Sequence, residues 1–210
     1  MKNSAHFTSS NVPSSVEVIN VISRLEQPFR SLAWLMLETG ARFNELQSLR
    51  VRDLQSAGCR IHVGSEQGIR ALDISRGLSE SLNDYIETIL RPAFEQMKRW
   101  TAKDRSSAAP LFSRQLLFPV WILDGYERAQ NDEAIPADEF ACSLRHAAMG
   151  SGCRASMHSN TMRLVAAKSW LAMGVSMDEL HARLGHRDLM TTMLLAEALQ
   201  RGKLTFAAAA

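Results

Sequence analysis

The chain has 210 residues, 46% hydrophobic and 22% charged, a composition that suits one globular domain and excludes a disordered or fibrous chain. Lys+Arg 24 against Asp+Glu 22 leaves a formal charge of +2, so any polyanion site must be local. No apolar run approaches the roughly 18 residues that span a bilayer, the opening stretch lacks a signal peptide's apolar core, and three cysteines without a Cys-x-x-Cys pair suggest neither disulfides nor zinc, so a cytoplasmic protein without metal, cofactor or membrane partner is expected.

In chain order, residues 1–13 are rich in Ser and Asn and read as a loose, flexible arm. Ser14-Ser15-Val16-Glu17 has capping-box spacing, and Val16, Ile19, Ile22 and Leu25 recur at helical intervals, which predicts a helix to about residue 26. Pro28 starts a second helix, apolar over much of its circumference and stopped by Gly40. A short helix over 43–49 follows, with Leu46 and Leu49 inward and Asp53 in the next turn. Between 59 and 74 the period changes to two, which predicts a hairpin of 59–63 and 69–74. Helical spacing returns over 78–100, with Pro92 expected to kink or break it. Residues 101–136 are the least regular: Ala-Pro-Leu-Phe112 suggests a short strand, and 115–135, with Trp121 and Tyr126, an insertion on one face. Helices then resume over 137–149, 160–173, 176–184 and 189–202, separated by Gly150, Gly174 and Gly185, and 207–210 reads as a frayed helix end.

Two separated motifs carry a functional signal. Leu37-Glu-Thr-Gly-Ala-Arg-Phe-Asn-Glu-Leu46, continuing to Asp53, resembles the first box of the tyrosine recombinases, the phage integrase family. Leu184-Gly-His-Arg-Asp-Leu-Met-Thr-Thr192 resembles the ending of that family's second box, and the order of elements between them agrees over about 15–203. Met190 departs from the small residue usual at its position. The resemblance implies a mainly α domain (14–206) with a small antiparallel β-sheet, similar to the catalytic domain of these DNA breaking-rejoining enzymes. It also implies that the family's amino-terminal DNA-clamping domain is missing.

In that family a tyrosine hydroxyl attacks a DNA phosphate while two Arg and a His or Trp hold the nonbridging oxygens and a Lys protonates the leaving oxygen. Carried over residue by residue, the two arginines fall on Arg42 and Arg163 and the Leu-Gly-His histidine on His186, giving a phosphate-binding trio with Glu45 orienting Arg42. The other roles are empty. The histidine three residues before the second arginine is Asn160, the hairpin lysine is about Ser65 with no Lys between Lys2 and Lys98, and the nucleophile position is Leu195. Of the two tyrosines, Tyr85 belongs to the helix after the hairpin and Tyr126 to the insertion, neither near the last helix. His158, five residues before Arg163, is out of register and reads as a surface histidine, and Lys168 as a solvated charge.

The resulting expectation is a catalytically silent, DNA-binding relative acting as a regulator or accessory factor of recombination or integration on a mobile element. Its Arg42→Ala and Arg163→Ala variants should each lose DNA affinity with the fold intact. The last-helix stripe Leu189, Met190, Met193, Leu194, Leu195 and Leu199 is core or interface, the latter for a second copy or an active recombinase. Two alternatives stand beside this: a divergent working recombinase, and a protein-interaction module, which the low net charge favours.

Overall fold

The computed structural model describes residues 7–8, 12–65, 68–101, 111–124, 132–153, 155–201 and 203–204. These fall into two compact units, Met1–Phe43 with Ala141–Ala210, and Asn44–Phe140, where the sequence suggested one domain with an insertion.

The first unit is helical. Helix α1 (Ser15–Ser23) opens with the expected capping box, Ser14 Oγ accepting from the Glu17 N–H while the Glu17 carboxylate accepts from the Ser14 N–H at 2.8 Å. Its inward face is not the expected one: Val16 and Ile19 are exposed, whereas Val18, Val21, Ile22 and Leu25 are buried. The i, i+3, i+4, i+7 set makes a broader contiguous stripe than one apolar residue every third position, and the broader stripe wins the core. Helix α2 (Phe29–Thr39) buries Leu32, Ala33, Leu35 and Met36 and ends at Gly40, whose φ of 62° closes the helix in the left-handed region. Helix α6 (Ala137–Ser151), which begins in the second unit, runs through Gly150, and Gly152 (φ 73°) ends it. Helices α7 (Ser159–Ala172), α8 (Met177–Leu184) and α9 (Leu189–Arg201) follow within a residue or two of their predicted bounds. α7 packs on α2, α8 and α9, and eight of its residues are buried. Within the expected arm, strand β1 (Phe7–Thr8) pairs antiparallel with β5 (Lys203–Leu204), in register Phe7 to Leu204; the rest of 1–11, like 205–210, lies outside the described residues.

The second unit holds the predicted hairpin. Short helix α3 (Phe43–Gln47) leads in and buries Leu46, with Leu49 just beyond it. Strands β2 (Leu54–Gln55), β3 (Arg60–Ser65) and β4 (Gly68–Asp73) form an antiparallel sheet in that order, Ile61 facing Leu72 and Val63 facing Arg70 across the main pair. Helix α4 (Arg76–Tyr85) continues through a π-helical turn over Ile86–Leu90 into α5 (Arg91–Thr101). Pro92 offers no N–H to the preceding turn, and the i→i+5 turn just before it absorbs the mismatch, so the helix is neither broken nor stopped.

Residues 115–122 correct the insertion reading. Leu116, Leu117, Phe118, Val120 and Trp121 are all at most 4% exposed, the Leu117 N–H donates to Leu49 O at 2.7 Å, and the Ile135 N–H donates to Phe118 O. This segment is core of its unit, because a nearly continuous apolar run cannot lie on a surface. The strand expected at Phe112 is a 3-10 turn over Phe112–Arg114, packed by Phe112 against Phe94 and under the Arg91 guanidinium.

Candidate phosphate site

Three sequence-nominated residues, Arg42, Arg163 and His186, lie in the first unit, and one interaction explains why they meet. Arg163 projects from the second turn of α7 and is 2% exposed. Its Nη1 donates to Gly40 O, and its Nη2 donates to Leu184 O at 2.7 Å. Gly40 is the C-cap of α2 and Leu184 the last residue of α8, so the guanidinium sits against two helix C-termini. Those ends present unsatisfied carbonyls and partial negative charge, which is what a buried cation requires. Each helix ends in a left-handed glycine, Gly40 at φ 62° and Gly185 at φ 61°. The chain therefore leaves both pinned ends at once, toward Arg42 on one side and His186 on the other.

Gly40 is constrained twice. A Cβ there would lie 2.8 Å from the Trp170 ring, closer than packed atoms approach, so side-chain-free backbone is needed for contact as well as for conformation. Trp170 is buried on α7 and also lies under the Arg183 guanidinium. The Thr39 hydroxyl donates to Leu35 O and accepts from the Ala41 N–H at 3.2 Å, fixing the turn that carries Arg42.

His186 is 1% exposed, and its Nδ1 lies 2.9 Å from the hydroxyl of fully buried Thr192. Burial, the neighbouring Arg163 and Arg42 charges and His181 lower its pKa from the ordinary 6.5 to about 4, with Asp188 opposing. At neutral pH it is a neutral imidazole, with one N–H to donate and no charge. Of the three residues, Arg42 alone retains more than marginal exposure; Arg163 and His186 stand behind it.

The remaining nominated positions lie as follows. Glu45, 8% exposed in the second unit, accepts from Arg70 Nη2 of β4 at 2.7 Å, an ion pair not foreseen from sequence. Ser65 ends β3, its backbone opposite Gly68, and its side chain lies outside the described residues. Asn160 is half-buried in the first turn of α7, and Leu195 is 1% exposed on α9. Tyr85 is core: 1% exposed, its hydroxyl donates to Leu117 O at 3.0 Å, its ring stacks on Phe118, and burial pushes its pKa above the ordinary range. Such a phenol is no candidate nucleophile. Tyr126 lies outside the described residues, and Trp121, buried, is an internal anchor and not a base-stacking platform. His158 caps α7, its N–H donating to Thr161 Oγ1 and its Nε2 2.7 Å from Ser156 Oγ, and Lys168 is exposed.

Two residues at the site were not nominated. Thr192 lies between His186 Nδ1 and His181 Nδ1, at 2.9 and 3.0 Å. Thr192 had a readable signal, since Thr192, Leu195, Ala196 and Leu199 form the buried i, i+3, i+4, i+7 face of α9 with one polar member. His181 had none, being one polar residue among several on α8.

The phage integrase family model matches residues 7–200, so the chain belongs to the phage integrase family. Its fold is that of tyrosine recombinase catalytic domains. XerA recombinase is similar at 18% identity and a TM-score of 0.66, over 90% of this chain and 60% of that one. XerH site-specific recombinase, in a pre-cleavage complex with its difH substrate, is similar at 17% identity and a TM-score of 0.61, over 88% of this chain and 49% of that one. The catalytic domain of bacteriophage HP1 integrase is similar at 16% identity and a TM-score of 0.53, over 89% and 86%. The chain thus spans about half to three fifths of the two Xer recombinases. No curated protein sequence matches it. No described helix is long and apolar enough to cross a membrane.

Proposed function

We propose that this protein binds DNA without cutting it, as a regulatory or accessory member of its family linked to recombination or integration on a mobile element. Arg42 makes the outer contact with a backbone phosphate, and His186 and Arg163 back it with an N–H and a fixed charge. The observation that carries the reading is the convergence of Arg42 and His186 on the Arg163 clasp, while the nucleophile position is a buried leucine. Removing the attacking group of a covalent mechanism costs orders of magnitude in rate, whereas phosphate affinity needs only the donors. The family's DNA-bound structures, such as the XerH complex with difH, support DNA as the partner.

The test is retention of sheared genomic DNA at low and moderate salt by the wild-type protein and by Arg42→Ala. The reading predicts retention that weakens with salt and falls several-fold in the variant. Equal retention by both would remove the phosphate assignment. The exposed members of α9, Leu189, Met190, Met193 and Leu194, form the face through which a second copy or an active recombinase would join.

A further inference from the structure

The Thr192 hydroxyl carries one proton and has two histidine nitrogens within hydrogen-bond distance, His186 Nδ1 at 2.9 Å and His181 Nδ1 at 3.0 Å. It can donate to one of them and must accept from the other. The three groups therefore form a chain with two polarities. In one, His181 Nδ1–H donates to Thr192 and Thr192 donates to His186 Nδ1, which leaves the His186 proton on Nε2. In the other every bond is reversed, and His186 Nε2 is a bare lone pair.

We propose that Thr192 and His181 are positioning residues that hold His186 as the Nε2–H tautomer, so that its outward edge is a donor to DNA phosphate and not an acceptor that would repel it. The inference rests on the phosphate reading above. Two further features support this polarity. His186 is neutral at neutral pH, so it has a tautomer to select. His181 is half-buried while Thr192 and His186 are enclosed, so solvent protons reach the chain at the His181 end. A doubly protonated His181 has only N–H bonds to offer, and that fixes the first polarity. The charged groups bearing on His186 are Arg163 from α7, Arg42 after α2, His181 from α8 and Asp188 before α9. The arginines disfavour a second proton on His186 without choosing its nitrogen, and Thr192 makes that choice.

The test uses the full chain labelled with 15N at histidine, in the wild type, Thr192→Ser, Thr192→Val and His181→Leu. Long-range nitrogen–proton correlation spectra assign the His186 tautomer, and affinity is measured for a short random-sequence DNA duplex. The wild type and Thr192→Ser should show His186 with an unprotonated Nδ1 accepting a hydrogen bond. Thr192→Val should lose that signature and bind DNA about five- to tenfold more weakly, the scale of one oriented hydrogen bond. The same valine placed on a His186→Ala background should cost nothing further, because its effect passes through the imidazole. A wild-type His186 protonated on Nδ1, or an Nδ1 signature unchanged in both Thr192→Val and His181→Leu, would overturn the proposal. If the tautomers behave as stated but His186→Ala leaves DNA affinity untouched, the phosphate role of His186 is what falls.

Discussion

Arg163 shows why residue identity and residue role must be separated. From sequence, Arg42 and Arg163 are equivalent phosphate ligands whose alanine variants should both fold. In the structure Arg163 is buried and holds two backbone carbonyls, so Arg163→Ala strands both and should cost roughly 2–5 kcal/mol of stability, read by denaturant unfolding. Arg42→Ala, at the half-buried outer position, should stay within about 1 kcal/mol of wild type and is the clean probe of phosphate contact. His186 supplies a pH prediction. Its folded pKa of about 4 lies below the ordinary 6.5, so between those values the unfolded chain binds a proton that the folded chain refuses. Stability is full above about pH 6.5 and falls as pH drops toward 4, by at most about 3 kcal/mol from this group. Unfolding of wild type and His186→Gln at pH 7 and pH 5 should show the steeper loss in the wild type; parallel losses would mean that His186 is not held neutral.

Elements ending in the same way do the positioning. Helices α2 and α8 each close on a left-handed glycine, and their C-termini meet at one guanidinium. Gly40→Ala should therefore lower stability by about 2 kcal/mol or more through backbone strain and the clash with Trp170, and should reduce DNA affinity by displacing Arg42; a folded variant with unchanged stability and affinity would refute this. Much of this level was legible. Gly40 and Gly185 as stops, the hairpin, the capping box at Ser14 and the last four helices follow from local periodicity and turn chemistry, which act within a few residues. Readings that depended on tertiary competition went differently. The phase of α1 was set by which apolar stripe is broader, the π turn before Pro92 by continuity of the helix on either side, and the burial of 115–122 by contacts with the chain near Leu49 and Ile135. The site behaved likewise: the motif residues were visible as a pattern, but the Arg70 partner of Glu45 and the His181–Thr192–His186 chain join residues far apart in sequence or unmarked by any pattern.

For the whole molecule, a net charge of +2 gives no broad electrostatic pull toward DNA, so affinity must come from a few placed donors. The family fold remains while the groups that would cut are replaced: leucine at 195 is sealed in the core of its unit, and Tyr85 is sealed in the other. The central claim is binding without cleavage, and one sample tests both halves. The protein is incubated with sheared genomic DNA, the complexes are recovered at low and moderate salt, and half of the recovered material is run on a denaturing gel. The account predicts recovered DNA that migrates free of protein once denatured. A DNA strand that remains covalently attached to the protein would contradict it, and so would the absence of any recovered DNA at the lower salt.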